Sequence, residues 1–274
     1  MIIMNIVIFW KKGNAMTKPA VLITGASTGI GATYADRFAR RGHDLVLVAR
    51  DVARMEALAT GLRAQNGVSI DILPADLTRA DEIAAVEARL RDDDRIGILL
   101  NNAGAGLNGS FVDQPTDAIT QLIALNTTSV TRLASAVAPR LAARGDGAII
   151  NIGSVVGLAP ELGMSVYGAT KAFVLFLSQG LALELGKKGV YVQAVLPAAT
   201  RTELWWRAGA DEANLPAMMD VNDLVDAALV GFDKREGVTI PPLHDGTLWD
   251  VFDGARKAML PGFGTTQPAS RYVA

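Results

Sequence analysis

Residues 20 to 31, Ala-Val-Leu-Ile-Thr-Gly-Ala-Ser-Thr-Gly-Ile-Gly, constrain this chain more than any other stretch. A short apolar, β-leaning run, Ala20 to Thr24, passes straight into three glycines and then into an amphipathic segment, residues 29 to 41. The order is strand, glycine turn, helix. Gly25, Gly29 and Gly31 allow a tight turn and close backbone approach, and the helix N-terminus offers free N–H groups and a positive dipole end that suit a pyrophosphate. Gly25, Ser27, Thr28, Gly29 and Ile30 are therefore candidate dinucleotide-binding positions. The spacing is G-x-x-x-G-x-G rather than the usual G-x-G-x-x-G, and a plain glycine turn is the alternative reading.

The same unit recurs along the chain. Asp44 to Ala49 reads as a second strand, and Arg50 follows it directly. An acid at that position pairs with the ribose hydroxyls of NAD, whereas an arginine accommodates the extra phosphate of NADP. Arg50 thus favours NADP, with NAD as the second candidate, while Asp51 reads as the N-cap of a helix over residues 52 to 65. A third strand, residues 68 to 73, ends near Asp76 and Leu77. The Asp76 carboxylate is placed to accept from an adenine amino group, with a turn cap as its alternative. A helix over residues 80 to 91 precedes Asp92-Asp93-Asp94, which reads as a solvated turn without function. Ile96 to Leu100 has the wholly apolar character of a strand buried in a parallel sheet, and Asn101-Asn102-Ala103-Gly104 leaves its carboxyl end. The spacing predicts one long helix over residues 116 to 142 carrying a polar residue, Asn126, in an otherwise apolar stretch; a buried amide needs partners, and this one is placed either to hold a water beside Lys171 or to satisfy a kinked carbonyl. Residues 148 to 152 form a fifth strand, with Ser154 just beyond it, where ligands collect in open α/β sheets or where a serine caps a turn.

Tyr167 and Lys171 lie four apart on the next helix, residues 165 to 187, and so project from one face. A lysine ammonium beside the phenol is expected to lower its pKa and make Tyr167 a general acid/base; an aromatic packed under a lysine stem is the bland alternative. A sixth strand, residues 190 to 196, leads through Pro197, Thr200 and Thr202 over the site. Glu203 to Pro216, with Trp205 and Trp206, reads as a mobile apolar lid over it, with ordinary docking of the two aromatics as the alternative. Residues 221 to 235 and 248 to 260 read as helices around a short strand at 238 to 240. The fold expected is one doubly wound, Rossmann-like α/β domain over residues 18–260, with a parallel sheet of about seven strands and helices on both faces.

Assembled, these motifs resemble the short-chain dehydrogenase/reductase family. Thr24-Gly25-x-x-x-Gly29-Ile30-Gly31, Asn101-Asn102-Ala103-Gly104, Asn126, Ser154 and Tyr167-x-x-x-Lys171 occur in the family's order, with thirteen positions from Ser154 to Tyr167. The resemblance implies that Tyr167 moves the proton on the substrate oxygen, Ser154 orients that oxygen, and Lys171 lowers the Tyr167 pKa and holds the nicotinamide ribose. It implies that Asn126 positions a water, that Asp76, Leu77, Asn102, Ala103, Gly104, Pro197, Thr200 and Thr202 line the cofactor, and that Thr202 contacts the carboxamide. Ala198 departs from the glycine usual after Pro197, which puts the local path of that loop in question. The expected activity is NADP-dependent interconversion of a ketone or aldehyde with an alcohol, on a small apolar or partly apolar substrate. The alternatives are an NAD-preferring hydroxysteroid, sugar or polyol dehydrogenase, and a non-catalytic NADP-sensing protein. A homodimer or homotetramer packed through the helices at 116–142 and 165–187 is implied as well.

Composition narrows the partners. Lys+Arg 26 against Asp+Glu 28 leaves no basic excess for nucleic acid or an anionic membrane surface, so neither is expected. The absence of cysteine rules out disulfides, thiolate chemistry and cysteine metal sites, and is compatible with a reducing cytoplasm, the expected location. The two histidines, His43 and His244, lie far apart, so no metal is expected. Residues 1–17 are expected to be an extension, the first fifteen an artefact of start-site choice; the apolar run at 1–10 is too short to span a bilayer. Residues 261–274 read as a tail.

Overall fold

The computed structural model describes residues 18–107, 109–203, 205 and 217–273. The extension at 1–17 and most of the apolar segment expected at 203–216 lie outside the described residues. Among the described residues seven strands form one parallel sheet: β1 (Ala20–Thr24), β2 (Leu45–Ala49), β3 (Ile70–Pro74), β4 (Ile96–Asn101), β5 (Ala148–Ile152), β6 (Tyr191–Val195) and β7 (Val238–Thr239). Their order is β3-β2-β1-β4-β5-β6-β7, so the winding reverses between β1 and β4 and opens a crevice at the carboxyl ends there. The helices are α1 (Gly29–Arg40), α2 (Val52–Asn66), α3 (Ala80–Asp92), α4 (Thr116–Ile123), α5 (Ser129–Arg144), α6 (Ser165–Leu185), α7 (Val221–Asp233) and α8 (Thr247–Ala258).

Strand alternation divides the core into two layers. Val21 and Ile23 of β1 pack with Tyr34 and Phe38 of α1, Met55 of α2 and Val225 of α7. Ala20 and Leu22 face the other way, with Val86 of α3, Leu133 and Val137 of α5 and Leu185 of α6. Every residue of β1, β2, β4 and β5 is buried, which is why those strands read as unbroken apolar runs rather than alternating ones. Two arginine clamps fix α1 to α7: Arg37 Nε donates to Asp226 at 2.7 Å and Arg41 Nη1 to Asp233 at 2.8 Å.

The single helix expected over residues 116 to 142 is instead interrupted. One π turn, Ala124–Thr128, separates α4 from α5. The cause is visible in the side chains: Asn126 turns inward to bond the Ala105 backbone, and the widened turn is supported by Thr127, Ser129 and Thr131, whose hydroxyls donate to the carbonyls of Ile123, Leu125 and Thr127. The aspartate run also differs from a purely solvated turn. Asp93 accepts from Arg89 Nε at 2.9 Å and from Arg95 Nη2 at 2.8 Å, and the hydrogen bonds from Arg95 hold its carboxyl at about 2. His43 is a satisfied core-edge residue, its Nδ1 2.8 Å from the Pro19 carbonyl oxygen, and His244 is exposed. Residues read as a tail contain short 3-10 turns at Leu260–Gly264 and Ser270–Tyr272.

By length and composition alone Ser165–Lys188 would cross a membrane. One side of α6 is nevertheless buried through Thr170, Lys171, Val174, Ser178 and Leu185, while Phe173, Phe176 and Leu183 are exposed.

The tightest backbone approach lies at the first turn. A Cβ on Gly31 would stand 2.3 Å from the Gly25 carbonyl oxygen, closer than any real Cβ contact. Gly31→Ala is expected to lower stability by about 2–3 kcal/mol, read as the midpoint of urea unfolding; an unchanged midpoint would contradict this packing.

Candidate active site

The cleft floor is the turn between β1 and α1. Gly25 and Gly29 take left-handed φ values of 64° and 55°, which only glycine adopts without strain. A Cβ on Gly25 would lie 2.9 Å from Ala103 Cα, so the turn and the loop leaving β4 are in contact as backbones. Thr24 locks that contact. Its hydroxyl oxygen accepts from the N–H groups of Asn102 at 2.9 Å and Ala103 at 3.0 Å, and the hydroxyl lies 3.3 Å from the Leu100 carbonyl oxygen. Asn102 returns the bond, donating from Nδ2 to the Thr24 carbonyl at 2.8 Å. The N-terminus of α1 has no side-chain cap and no acidic residue in its first turn, so its N–H groups and dipole face the cleft open to an anion. These features fit a dinucleotide pyrophosphate; Ser27, Thr28 and Ile30 are half-buried in the same turn.

The residues expected at the adenosine end lie at the exits of β2 and β3. Arg50 is 73 % exposed, with Nη1 3.7 Å from Asp76 Oδ2, a loose pairing that leaves the guanidinium available to a phosphate. Asp51 caps α2 by accepting from Arg54 N at 3.0 Å. Asp76 is a turn cap: its Oδ1 accepts from the Thr78 N–H and hydroxyl at 2.9 and 2.7 Å, leaving Oδ2 to face Arg50. Leu77 buries its side chain against α3, so any part it takes in the cleft falls to its backbone.

At the other end of the cleft Ser154, Tyr167, Lys171 and Asn126 converge. Ser154 is buried at the exit of β5; its hydroxyl lies 3.3 Å from the Pro197 carbonyl oxygen, accepts from Val156 N–H at 3.2 Å, and is near enough to the Tyr167 phenol to favour its ionised form. Lys171 Nζ donates to the Ile152 carbonyl at 2.9 Å and sits 5.7 Å from the Tyr167 ring centroid. Asn126 accepts from Ala105 N–H and donates to Ala105 O, both at 3.0 Å, and donates to Thr170 Oγ1 at 3.1 Å. A Cβ on Gly104 would lie 3.3 Å from Asn126 Oδ1 and 3.5 Å from Lys171 Nζ, so Gly104 keeps open the space between amide and ammonium.

The electrostatics reverse one expectation. Burial pushes the Tyr167 phenol above its ordinary value, and the Ser154 hydroxyl offsets this in part. Spacing put Lys171 near the ring, but the effects that move the phenol are its burial and the Ser154 hydroxyl. Lys171 is itself brought down to about 8 by burial. The phenol therefore keeps its proton at neutral pH.

Beyond β6, Pro197 is buried and accepts from Val155 N–H at 2.9 Å. Ala198, where glycine was the usual residue, needs no positive φ; among the described residues only Met164 and Arg235 are non-glycines in that region, so the loop follows its path without strain there. Thr200 is buried and paired with Met219, and the Thr202 methyl packs on Gly29, where a Cβ would be 3.1 Å away. Sequence reasoning missed the role of Thr24, the buried chain from Asn101 Nδ2 to Asn151 at 2.9 Å and from Asn151 Nδ2 to Ser178 at 2.9 Å, and the support of Asn126 by Thr170. A polar residue ending an apolar strand was the one available signal.

Comparison with known proteins accords with this geometry. A family model described as short chain dehydrogenase matches residues 19–213. The chain is 36% identical over 187 residues to very-long-chain 3-oxoacyl-CoA reductase-A of Danio rerio, covering 67% of this chain and 58% of that protein. It is 37% identical over 186 residues to 17-beta-hydroxysteroid dehydrogenase type 3 of Homo sapiens, covering 67% and 59%. The chain thus spans about three fifths of the length of these curated relatives. Among solved structures it matches a short-chain dehydrogenase from Sphingobium yanoikuyae in complex with NADPH, at 66% identity and a TM-score of 0.91 over 93% of this chain and 100% of that one. It also matches a bulky-bulky ketone specific alcohol dehydrogenase from Comamonas testosteroni, at 59% identity and a TM-score of 0.88 over 94% and 100%.

Lys171 carries a stability cost with a defined sign. Its folded value of about 8 lies below the ordinary 10.5, so the penalty is complete below pH 8 and fades as pH rises toward 10.5. At ~1.4 kcal/mol per pH unit this amounts to about 3 kcal/mol. Lys171→Met is therefore expected to raise the melting temperature of the cofactor-free protein at pH 7, with the gain shrinking at pH 10. A lower melting temperature at pH 7 would contradict the assignment.

Proposed function

Because the chain belongs to the short-chain dehydrogenase family, we propose that it is an NADP-dependent oxidoreductase that reduces a ketone, with Tyr167 as proton donor. The observation that carries the proposal is the convergence of Ser154, Tyr167 and Lys171 at one end of a cleft whose other end presents an exposed arginine at the exit of β2. The NADPH complex named for the Sphingobium relative supports the cofactor.

The chain's own residues then have distinct tasks. The Ser154 hydroxyl and the Tyr167 phenol bracket the carbonyl oxygen of the substrate and fix its orientation. A reduced nicotinamide, when bound, supplies the hydride to the carbonyl carbon. As charge builds on the oxygen, Tyr167 gives it the phenol proton, and the Lys171 ammonium stabilises the phenolate left behind. A phenol held protonated by burial suits this direction, since reduction needs the proton in place. Asn126 holds the Ala105 backbone and, through Gly104, the spacing in front of Lys171.

The substrate proposed is a ketone with apolar groups, larger than the sequence suggested. Phe111 and Val112, in the loop beyond β4, are 63% and 85% exposed, and Leu162, in the loop beyond β5, is 56% exposed. Both loops leave the carboxyl edge where the proton site lies, and they offer apolar surface to a substrate. The name of the Comamonas relative is in keeping with this.

The test is NADPH oxidation across ketones of graded size, with NADH as control. Tyr167→Phe is expected to cut turnover by about 10²–10⁴-fold while dinucleotide affinity is retained. Arg50→Ala is expected to weaken NADPH, but not NADH, by about tenfold or more. Wild-type preference for NADH would overturn the cofactor assignment, and undiminished turnover in Tyr167→Phe would overturn the proton-transfer role.

A further inference from the structure

The chain leaving β6 does not run directly to α7. Thr200 pairs with Met219, with Arg201 N–H donating to Met219 O at 3.0 Å and Met219 N–H to Ala199 O at 2.9 Å. From that bridge the chain passes over the N-terminus of α1, where the Thr202 methyl lies against Gly29. It then reaches the first turn of α2. There Arg54 Nη1 donates to both carboxylate oxygens of Glu203 at 2.8 Å, a contact between residues 149 positions apart. Trp205 Nε1 donates to Thr200 O at 2.8 Å, turning the chain back on itself.

The fold does not depend on this ion pair. Asp51 already caps α2, and Met55, Ala59 and Leu62 already anchor it in the core. Arg54 is also steadied from the helix side, with Nε 3.4 Å from Asp51 Oδ2. What the pair does is join the two banks of the cleft. The adenosine end lies at Arg50 and the proton site beyond β5, so a dinucleotide laid between them crosses the glycine turn, and the pair spans that turn on the open side.

We infer that Arg54 and Glu203 form a strap across the bound dinucleotide and slow its release; this rests on the cofactor reading proposed above. The pair is about half exposed, at 47% and 42%, and an ion pair in water is weak enough to open at every turnover. A strap acts on either dinucleotide, whereas a ligand of the added phosphate acts on NADPH alone. That difference separates the strap from Arg54 acting as a second phosphate-binding residue beside Arg50.

The test is stopped-flow release of NADPH and of NADH from the wild type, Arg54→Gln, Glu203→Gln, the double neutral variant, and the exchanged pair Arg54→Glu with Glu203→Arg. Each single change is expected to speed release of both dinucleotides by about two- to fivefold. The double neutral variant should release no faster than either single one, and the exchanged pair should return toward the wild type, which general disruption of α2 would not do. Unchanged release in the single variants, or an Arg54→Gln effect confined to NADPH with none from Glu203→Gln, would overturn the strap alone. A wild type that binds neither dinucleotide would overturn the cofactor reading and the strap together.

Discussion

The Thr24 hydroxyl is the interaction on which the rest of the site depends. It sits at the last position of β1, fully buried, and takes the N–H groups of Asn102 and Ala103 onto one oxygen. Those two donors leave the end of β4 just where the backbone turns out of the sheet, and no neighbouring strand is available to satisfy them. The bond therefore sets the distance between the glycine turn and the β4 loop. Because Gly104 follows Ala103 and lies against Asn126 and Lys171, the same bond places the cofactor cradle and the proton site in one frame. Asn102 strengthens it by donating to Thr24 and Gly25, so the two loops hold each other.

The proton site shows an opposition between stability and chemistry. A lysine buried against a backbone carbonyl costs the folded chain stability at neutral pH, whereas the buried phenol, protonated there, adds no charge for burial to penalise. The same low dielectric strengthens any attraction between ammonium and phenolate once the proton has left. On the proposed reaction, the site is arranged for the charges that appear during proton transfer rather than for those present at rest. The π turn beside it has a similar character: regular helix is given up so that one amide can reach Ala105, and hydroxyls along the helix absorb the disturbance.

Much of this was legible in the sequence, for a physical reason. A parallel sheet covered on both faces writes itself as unbroken apolar runs, and the residues leaving those runs fall at the carboxyl edge, so Arg50, Asn102 and Ser154 could be placed from their position after a strand. The fold class and the strand count followed from that. What was not legible lies in bonds between distant positions. Thr24 and Asn102 are 78 positions apart, and neither shows a period that pairs them. The bend at Asn126 depends on the Ala105 backbone, 21 positions away, and the sequence of the helix alone continues without a break. The direction of the Tyr167 shift was misread because four-residue spacing reports proximity to Lys171 and says nothing of how deeply the pair is enclosed.

The most direct test of the account is the affinity of Thr24→Val for NADPH, measured by titration calorimetry on protein that retains a cooperative unfolding transition. Valine keeps the shape of the side chain and removes the acceptor, leaving two N–H groups unpaired at the junction of the two loops. At ~1–3 kcal/mol for each stranded group, the dinucleotide is expected to bind at least about tenfold more weakly. Wild-type affinity in the folded variant would contradict the claim that this bond holds the site together.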